Sequence, residues 1–181
     1  PIAKAQQEFE QIYPQPGWVE HDPMAIWQSQ RDTVVQSMAE AGIAAEKLAG
    51  IGITNQRETA VAWHRTTGQP ICNAIVWQDR RTAEHIDRLE SEGYSELLRK
   101  KTGLVPDAYF SASKFAWIMN NIEEAPRLAA SGNLCLGTVD SWLVYNLTGG
   151  EAFITDASNA SRTMLYDIEH GGWDDELLDL F

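Results

Sequence analysis

Gly50-Ile-Gly-Ile-Thr-Asn-Gln-Arg-Glu-Thr59 is followed by the apolar run Ala60–Trp63, a turn at Thr67-Gly68-Gln69-Pro70, and Asn73-Ala-Ile-Val-Trp-Gln-Asp-Arg-Arg81. Two apolar runs, Ile51–Ile53 and Ala74–Trp77, pass directly into polar and charged residues. That is the pattern of buried strands in an α/β sheet, where ligands sit at the carboxyl ends of the strands. It places Asn55, Gln56, Arg57 and Glu58 at one strand end and Trp77, Gln78 and Asp79 at another. The chemistry suits a small polyhydroxylated molecule. Arg57 offers a planar fork of donors, ionised Glu58 offers only acceptors, and the face of Trp77 can cover the carbon side of the ligand. The same residues read without a ligand are a surface ion pair on a loop beside a core tryptophan.

Working outward, the chain reads as alternating strands and helices. Partial alternation over Pro1–Tyr13 suggests a strand, and the prolines and glycine of Tyr13-Pro-Gln-Pro-Gly-Trp18 a loop. Asp22-Pro23 reads as a helix cap followed by proline at the first helical position, with the helix continuing through Ala41 to a stop at Gly42. A short helix around Ala44–Leu48 leads into a strand at Gly50–Thr54, and Ala60–His64 and Gln69–Trp77 read as further strands. Asp79 or Thr82 opens a helix that stops near Gly93. Tyr94–Lys101 is a second helix whose Arg99, Lys100 and Lys101 read as a solvated C-terminal end. Ser111 or Ser113 reads as the cap of a helix carrying Phe115, Trp117, Ile118 and Met119, and Ile122–Ala130 as a helix interrupted by Pro126. A buried strand at Asn133–Gly137 follows. Then come a helix capped by Thr138 or Asp140 and stopped by Gly149-Gly150, a short strand at Phe153–Thr155, and an amphipathic helix capped by Asp174.

Composition is ordinary for a folded soluble protein: 181 residues, 44% hydrophobic and 22% charged. Lys+Arg of 14 against Asp+Glu of 26 gives a net charge of −12, which argues against a nucleic-acid or anionic-membrane binder. Cys72 and Cys135 lack metal-site spacing and read as buried free thiols; the four histidines are scattered. With no apolar run near the ~20 residues that span a bilayer and no opening signal peptide, the expectation is a cytoplasmic protein.

Beyond these readings, Gly52-Ile-Thr-Asn-Gln-Arg-Glu-Thr59 and Asn73-Ala-Ile-Val-Trp-Gln-Asp-Arg-Arg-Thr82 resemble the glycerol kinases of the sugar-kinase family, which has a ribonuclease-H-like (actin/hexokinase-type) fold. The likeness extends to Gln11–Pro23, Asp107-Ala-Tyr-Phe-Ser111, Gly137-Thr-Val-Asp-Ser-Trp142 and Thr155-Asp-Ala-Ser-Asn-Ala-Ser-Arg-Thr163, nearly the whole chain. It implies an α/β domain with a central mixed sheet flanked by helices. It implies a substrate site in which Arg57 and Glu58 meet the polyol hydroxyls, Trp77 is the aromatic platform and Tyr109 a further contact. Ala108 stands where the family pattern has proline, which weakens the carry-over to Tyr109.

The resemblance also implies glycerol as substrate, ATP and Mg²⁺ as cofactors of the intact enzyme, and a homo-oligomer. The family's Asp-x-Gly-Thr-Thr hairpin, its Gly-Asp-Gln segment bearing the catalytic base, and its Gly-rich nucleotide segments are not found in this sequence. The expectation is therefore a single unit, residues 1–181, covering most of the polyol-binding domain and inactive alone. A kinase for another polyol or a pentulose, and a non-catalytic polyol-binding module, stay open.

Overall fold

The computed structural model describes the whole chain, Pro1–Phe181. Glu20–His21 (β1) leads into Asp22, whose carboxylate accepts the Met24 N–H at 2.8 Å and caps the helix Pro23–Ala41 (α1). Pro23 takes a first-turn position, where its missing N–H costs nothing. Gly42 closes the helix at φ +64°, a conformation open to glycine. Local cap chemistry thus sets both ends of the longest helix.

Val61–His64 (β2) and Ala74–Ile75 (β3) follow, then the helices Ala83–Ser91 (α2), Ser95–Thr102 (α3), Ser111–Asn121 (α4) and Ala125–Ala130 (α5). Leu134–Gly137 (β4) and Val139–Leu147 (α6) come next, then Ala157–Ala160 (α7), the pair Tyr166–Asp167 (β5) and Gly172–Trp173 (β6), and Asp175–Leu180 (α8). β1 pairs with β3, β2 with β4 and β5 with β6, all antiparallel. The bridge at Ala60–Ile75 connects the first two pairs into one patch of sheet, and a bridge at Ile12–Glu20 extends it beside β1.

That patch is covered on both faces. Ala60 and Ala62 of the β2 region belong to a core with Ile75, Ile86, Leu98, Ile118 and Met164, beneath α2, α3 and α4. Val61 and Trp63 point into a second core with Ile26, Cys135 and Trp142, beneath α1 and α6. This is the period-two alternation of a strand whose two sides are both apolar. Trp63 stands edge-on to Trp142 at 5.2 Å, and the Trp142 indole N–H donates to the Pro23 carbonyl at 2.8 Å, fixing α6 to the start of α1. Gly137 is required here: a Cβ at this position would lie 2.9 Å from Ser141 Cβ and 3.2 Å from the Trp63 ring.

Several expectations are corrected. No parallel pairing forms, so the sheet patch is antiparallel rather than mixed. The extended stretch Gly50–Thr54 makes no backbone hydrogen bond and is not a strand; apolar alternation marks an extended chain, but a ladder needs a partner beside it. For the same reason Phe153–Thr155 is not a strand, and only Ile12 of Pro1–Tyr13 pairs, with Glu20. Only Ala74–Ile75 of Gln69–Trp77 forms a strand, with Pro70 in an isolated bridge to Trp63.

Among the helices, Ser111 and Ser113 are buried inside α4 rather than capping it. Ser113 shares a 2.8 Å hydrogen bond with Thr82, and Ser111 donates to the Glu58 carbonyl. Pro126 does not interrupt α5 but sits in its first turn. Lys101 is not solvated: its ammonium bonds both oxygens of Asp174, at 2.7 and 2.8 Å, locking α3 to the cap of α8. Cys72 and Cys135 are free thiols; Cys135 is buried and Cys72 half-buried. No helix is long and apolar enough to cross a membrane.

Candidate functional site

Glu58 sits just before the buried β2 region with φ +66°, one of two non-glycine residues in the left-handed region. Such a conformation costs about 1–3 kcal/mol and persists only where surrounding contacts demand it. The contacts are visible. The Glu58 side chain is buried and ion-paired, Oε1 to Arg162 Nε at 2.7 Å. Its neighbour Arg57 is exposed and forms no ion pair within the chain. The twist at Glu58 therefore separates the two side chains expected to act side by side: one carboxylate is inside and held, one guanidinium is outside and free.

The second strand end brings in the aromatic wall. Trp77 follows β3, exposes about a third of its surface (36%), and its N–H donates to Thr59 Oγ1 at 3.3 Å, which ties it to the residue after Glu58. Its ring lies 5.4 Å from the ring of Tyr109 at a tilt of 58°. The Arg162 guanidinium, already bonded to Glu58, lies 5.9 Å from the Tyr109 ring centroid and 4.9 Å from that of Phe110. Glu58, Trp77 and Tyr109 thus meet in one locality, with Arg162 touching two sides of it. Arg57 borders it in sequence, with its side chain turned to solvent.

The Tyr109 loop is held without the proline that the family pattern would place at Ala108. Asp107 Oδ1 accepts the Tyr109 N–H at 2.8 Å and receives Arg80 Nη1 at 2.6 Å. From below, the fully buried Lys114 ammonium donates to the carbonyls of Ala108, Tyr109 and Phe110 at 2.7, 2.6 and 2.8 Å. Burial lowers the Lys114 ammonium to about 7, a fall opposed by the negative charges of Asp79, Glu58 and Asp107.

Beside the site, the buried Asp79 carboxylate accepts the Val19 N–H and pairs with Arg81, which also reaches Glu20 at 2.7 Å. The Arg81 guanidinium lies 3.6 Å from the Trp18 ring centroid and 4.6 Å from that of Trp117. Asp79, Arg81 and Glu20 thus form a buried ion-pair network ahead of α2, while Arg80 pairs with Asp107.

Asp140 is not a cap. Buried in the first turn of α6, it accepts from Thr138, from Asn55 Nδ2 at 2.9 Å, from Thr155 Oγ1 at 2.7 Å and from Asn159 Nδ2 at 3.2 Å. Asn55 Oδ1 in turn accepts the Asp140 N–H at 2.9 Å. One carboxylate thereby fixes both the segment leading to Glu58 and the segment leading to Arg162.

Sequence reasoning leaves Arg162 and Lys114 without a role. Arg162 is 104 residues from Glu58, and no local pattern announces that pair. Lys114 carried a signal: it lies four residues before buried Ile118 in α4, on the apolar side of the helix, where a charge needs partners.

A model of the N-terminal domain of the FGGY family of carbohydrate kinases matches residues 1–181. A glycerol kinase of Chromobacterium violaceum is 58% identical over 179 residues, which is 99% of this chain and 36% of that protein. A glycerol kinase 2 of Thermotoga maritima is 55% identical over the same shares. Among solved structures, a Plasmodium falciparum glycerol kinase with ADP superposes with a TM-score of 0.89 at 36% identity, over 97% of this chain and 35% of that one. A gluconate kinase of Lactobacillus acidophilus, 20% identical, shares the fold with a TM-score of 0.81 over 96% of this chain and 33% of its own. The chain spans about a third of the length of these relatives.

Proposed function

The chain belongs to the FGGY family of carbohydrate kinases, with the sugar-kinase form of the actin/hexokinase-like fold. On that premise we propose that it supplies the polyol-binding part of an ATP-dependent glycerol kinase, which converts glycerol and ATP to glycerol 3-phosphate and ADP. The observation that carries this reading is that Arg162 joins the buried Glu58 carboxylate to the Trp77–Tyr109 pair of rings. Glu58 accepts from a glycerol hydroxyl, Arg57 swings in from solvent to donate to the hydroxyl beside it, and the two rings cover the carbon backbone. Aromatic walls this close leave little room for a longer sugar.

The residues present serve the acceptor side of the reaction. ATP is the phosphoryl donor and Mg²⁺ its counter-charge in the proposed enzyme. No cluster of His, Cys, Asp and Glu in this chain has a metal-holding arrangement, so no step is assigned to a metal here. Phosphoryl transfer rests on positioning and on charge stabilisation around the transferred group. Residues 1–181 are read as most of the polyol-binding domain, acting in the cytoplasm as part of a homo-oligomeric enzyme and without turnover alone.

The test joins this chain to the remaining two-thirds of the Chromobacterium violaceum relative and assays phosphorylation of glycerol and of xylulose. Glycerol turnover that Trp77→Ala and Glu58→Gln abolish supports the reading. A preference for xylulose, or ATP-dependent glycerol turnover by the 181-residue chain alone, contradicts it.

A further inference from the structure

We propose that Arg162 is a positioning residue of the polyol site: it fixes the Glu58 carboxylate through one oxygen and leaves the other as acceptor for a substrate hydroxyl. This rests on the reading of Glu58 as a polyol ligand. The Glu58 side chain is 3% exposed, and a carboxylate taken that far out of water needs a charged or hydrogen-bonding partner. Arg162 is that partner, through Nε to Oε1 at 2.7 Å. Oε2 makes no hydrogen bond within the chain, so the ion pair leaves one acceptor of the buried carboxylate open.

The same guanidinium lies against the rings of Tyr109 and Phe110, at 5.9 and 4.9 Å from their centroids. One side chain therefore sets the distance between the hydroxyl acceptor and the aromatic wall. Both ends of the pair are themselves anchored. Asn159, three residues before Arg162, bonds Asp140 at 3.2 Å and Asp156 at 2.7 Å, and Asn55, three residues before Glu58, bonds Asp140 at 2.9 Å. A planar fork with fixed donor directions does this better than a lysine, whose ammonium is a rotatable point charge.

The experiment is a double-mutant cycle on glycerol affinity, read from the Trp77 indole resonance of the chain, with the thermal midpoint of every variant measured alongside. The variants are Arg162→Met, Arg162→Lys, Glu58→Gln and Glu58→Gln/Arg162→Met. Freeing the buried carboxylate is expected to weaken glycerol about 10- to 100-fold in Arg162→Met, since losing a charged partner costs about 1–3 kcal/mol. Arg162→Lys recovers part of the loss, and Arg162→Met adds nothing to Glu58→Gln. A merely structural arginine would lower the midpoint and leave no coupling with Glu58. Losses that multiply independently, or wild-type affinity in Arg162→Met, overturn the proposal. Wild-type affinity in Glu58→Gln instead removes the polyol role of Glu58, and the proposal falls with it. If Arg162→Met does not fold, Arg162→Gln takes its place in the same cycle.

Discussion

The buried ammonium of Lys114 donates 2.6 Å to the carbonyl of Tyr109, and bonds the carbonyls on either side of it as well. The aromatic wall of the candidate site is thus held by the buried Lys114 side chain rather than by proline at position 108. Lys114→Met keeps the stem and removes the donors, leaving three inward carbonyls without a partner. The expected destabilisation is about 3 kcal/mol, the scale for leaving buried polar groups unsatisfied. Urea unfolding measures it; a loss below about 0.5 kcal/mol would show that the loop does not depend on Lys114.

The same residue gives the protein a pH signature. The folded Lys114 sits near 7 and the unfolded one near its ordinary 10.5, so between these values the unfolded chain binds more protons. Stability then rises with pH, at up to about 1.4 kcal/mol per unit. Below 7 both forms are protonated and Lys114 adds no slope. At higher pH the buried thiols act in the opposite sense, since Cys72 is pushed up to about 12 and Cys135 is also raised, so the unfolded chain loses thiol protons first. From pH 7 to 8 the thermal midpoint of the wild type should climb relative to that of Lys114→Met. Parallel profiles for the two proteins would contradict this.

Gly137→Ala tests the close approach of β4 to α6. The added methyl meets Ser141 Cβ at 2.9 Å, where no flexible side-chain end can yield. Overpacking of this kind costs about 1–3 kcal/mol. Calorimetry showing an unchanged midpoint would mean that strand and helix separate freely.

Asp140→Asn replaces one acceptor oxygen by an amide, which turns a donor toward Asn55, Thr155 or Asn159. A cost of about 1–3 kcal/mol follows from the mismatch. Amide exchange should quicken around Asn55–Glu58 and Thr155–Arg162 together, because one carboxylate holds both. Faster exchange in only one of these segments would refute the shared anchor.

These relationships show which parts of the molecule could be read from its sequence. The start and end of α1 were legible because Asp22, Pro23 and Gly42 act on the backbone within a turn of themselves. The strand at Ala60–His64 was legible because burial on two faces leaves an unbroken apolar run. Gly50–Thr54 looked like the same thing, yet a ladder depends on a neighbour that the stretch itself does not encode. At the site, Glu58, Trp77 and Tyr109 stood in recognisable motifs, whereas the pairing of Glu58 with Arg162 rather than with adjacent Arg57 follows from one left-handed residue. No propensity announces that conformation at a glutamate. Asp140 looked like a cap because a carboxylate early in a helix usually is one; its four side-chain donors come from three separate segments.

The most direct test of the polyol site is a glycerol titration of the chain followed by the indole N–H resonances of its tryptophans, with Trp77→Phe assigning the relevant one. A saturable shift of the Trp77 signal is predicted, with the buried Trp63 and Trp142 signals staying in place. A Trp77 signal that glycerol leaves unmoved, or one that moves no more than that of exposed Trp173, would contradict the assignment of this locality as the polyol site.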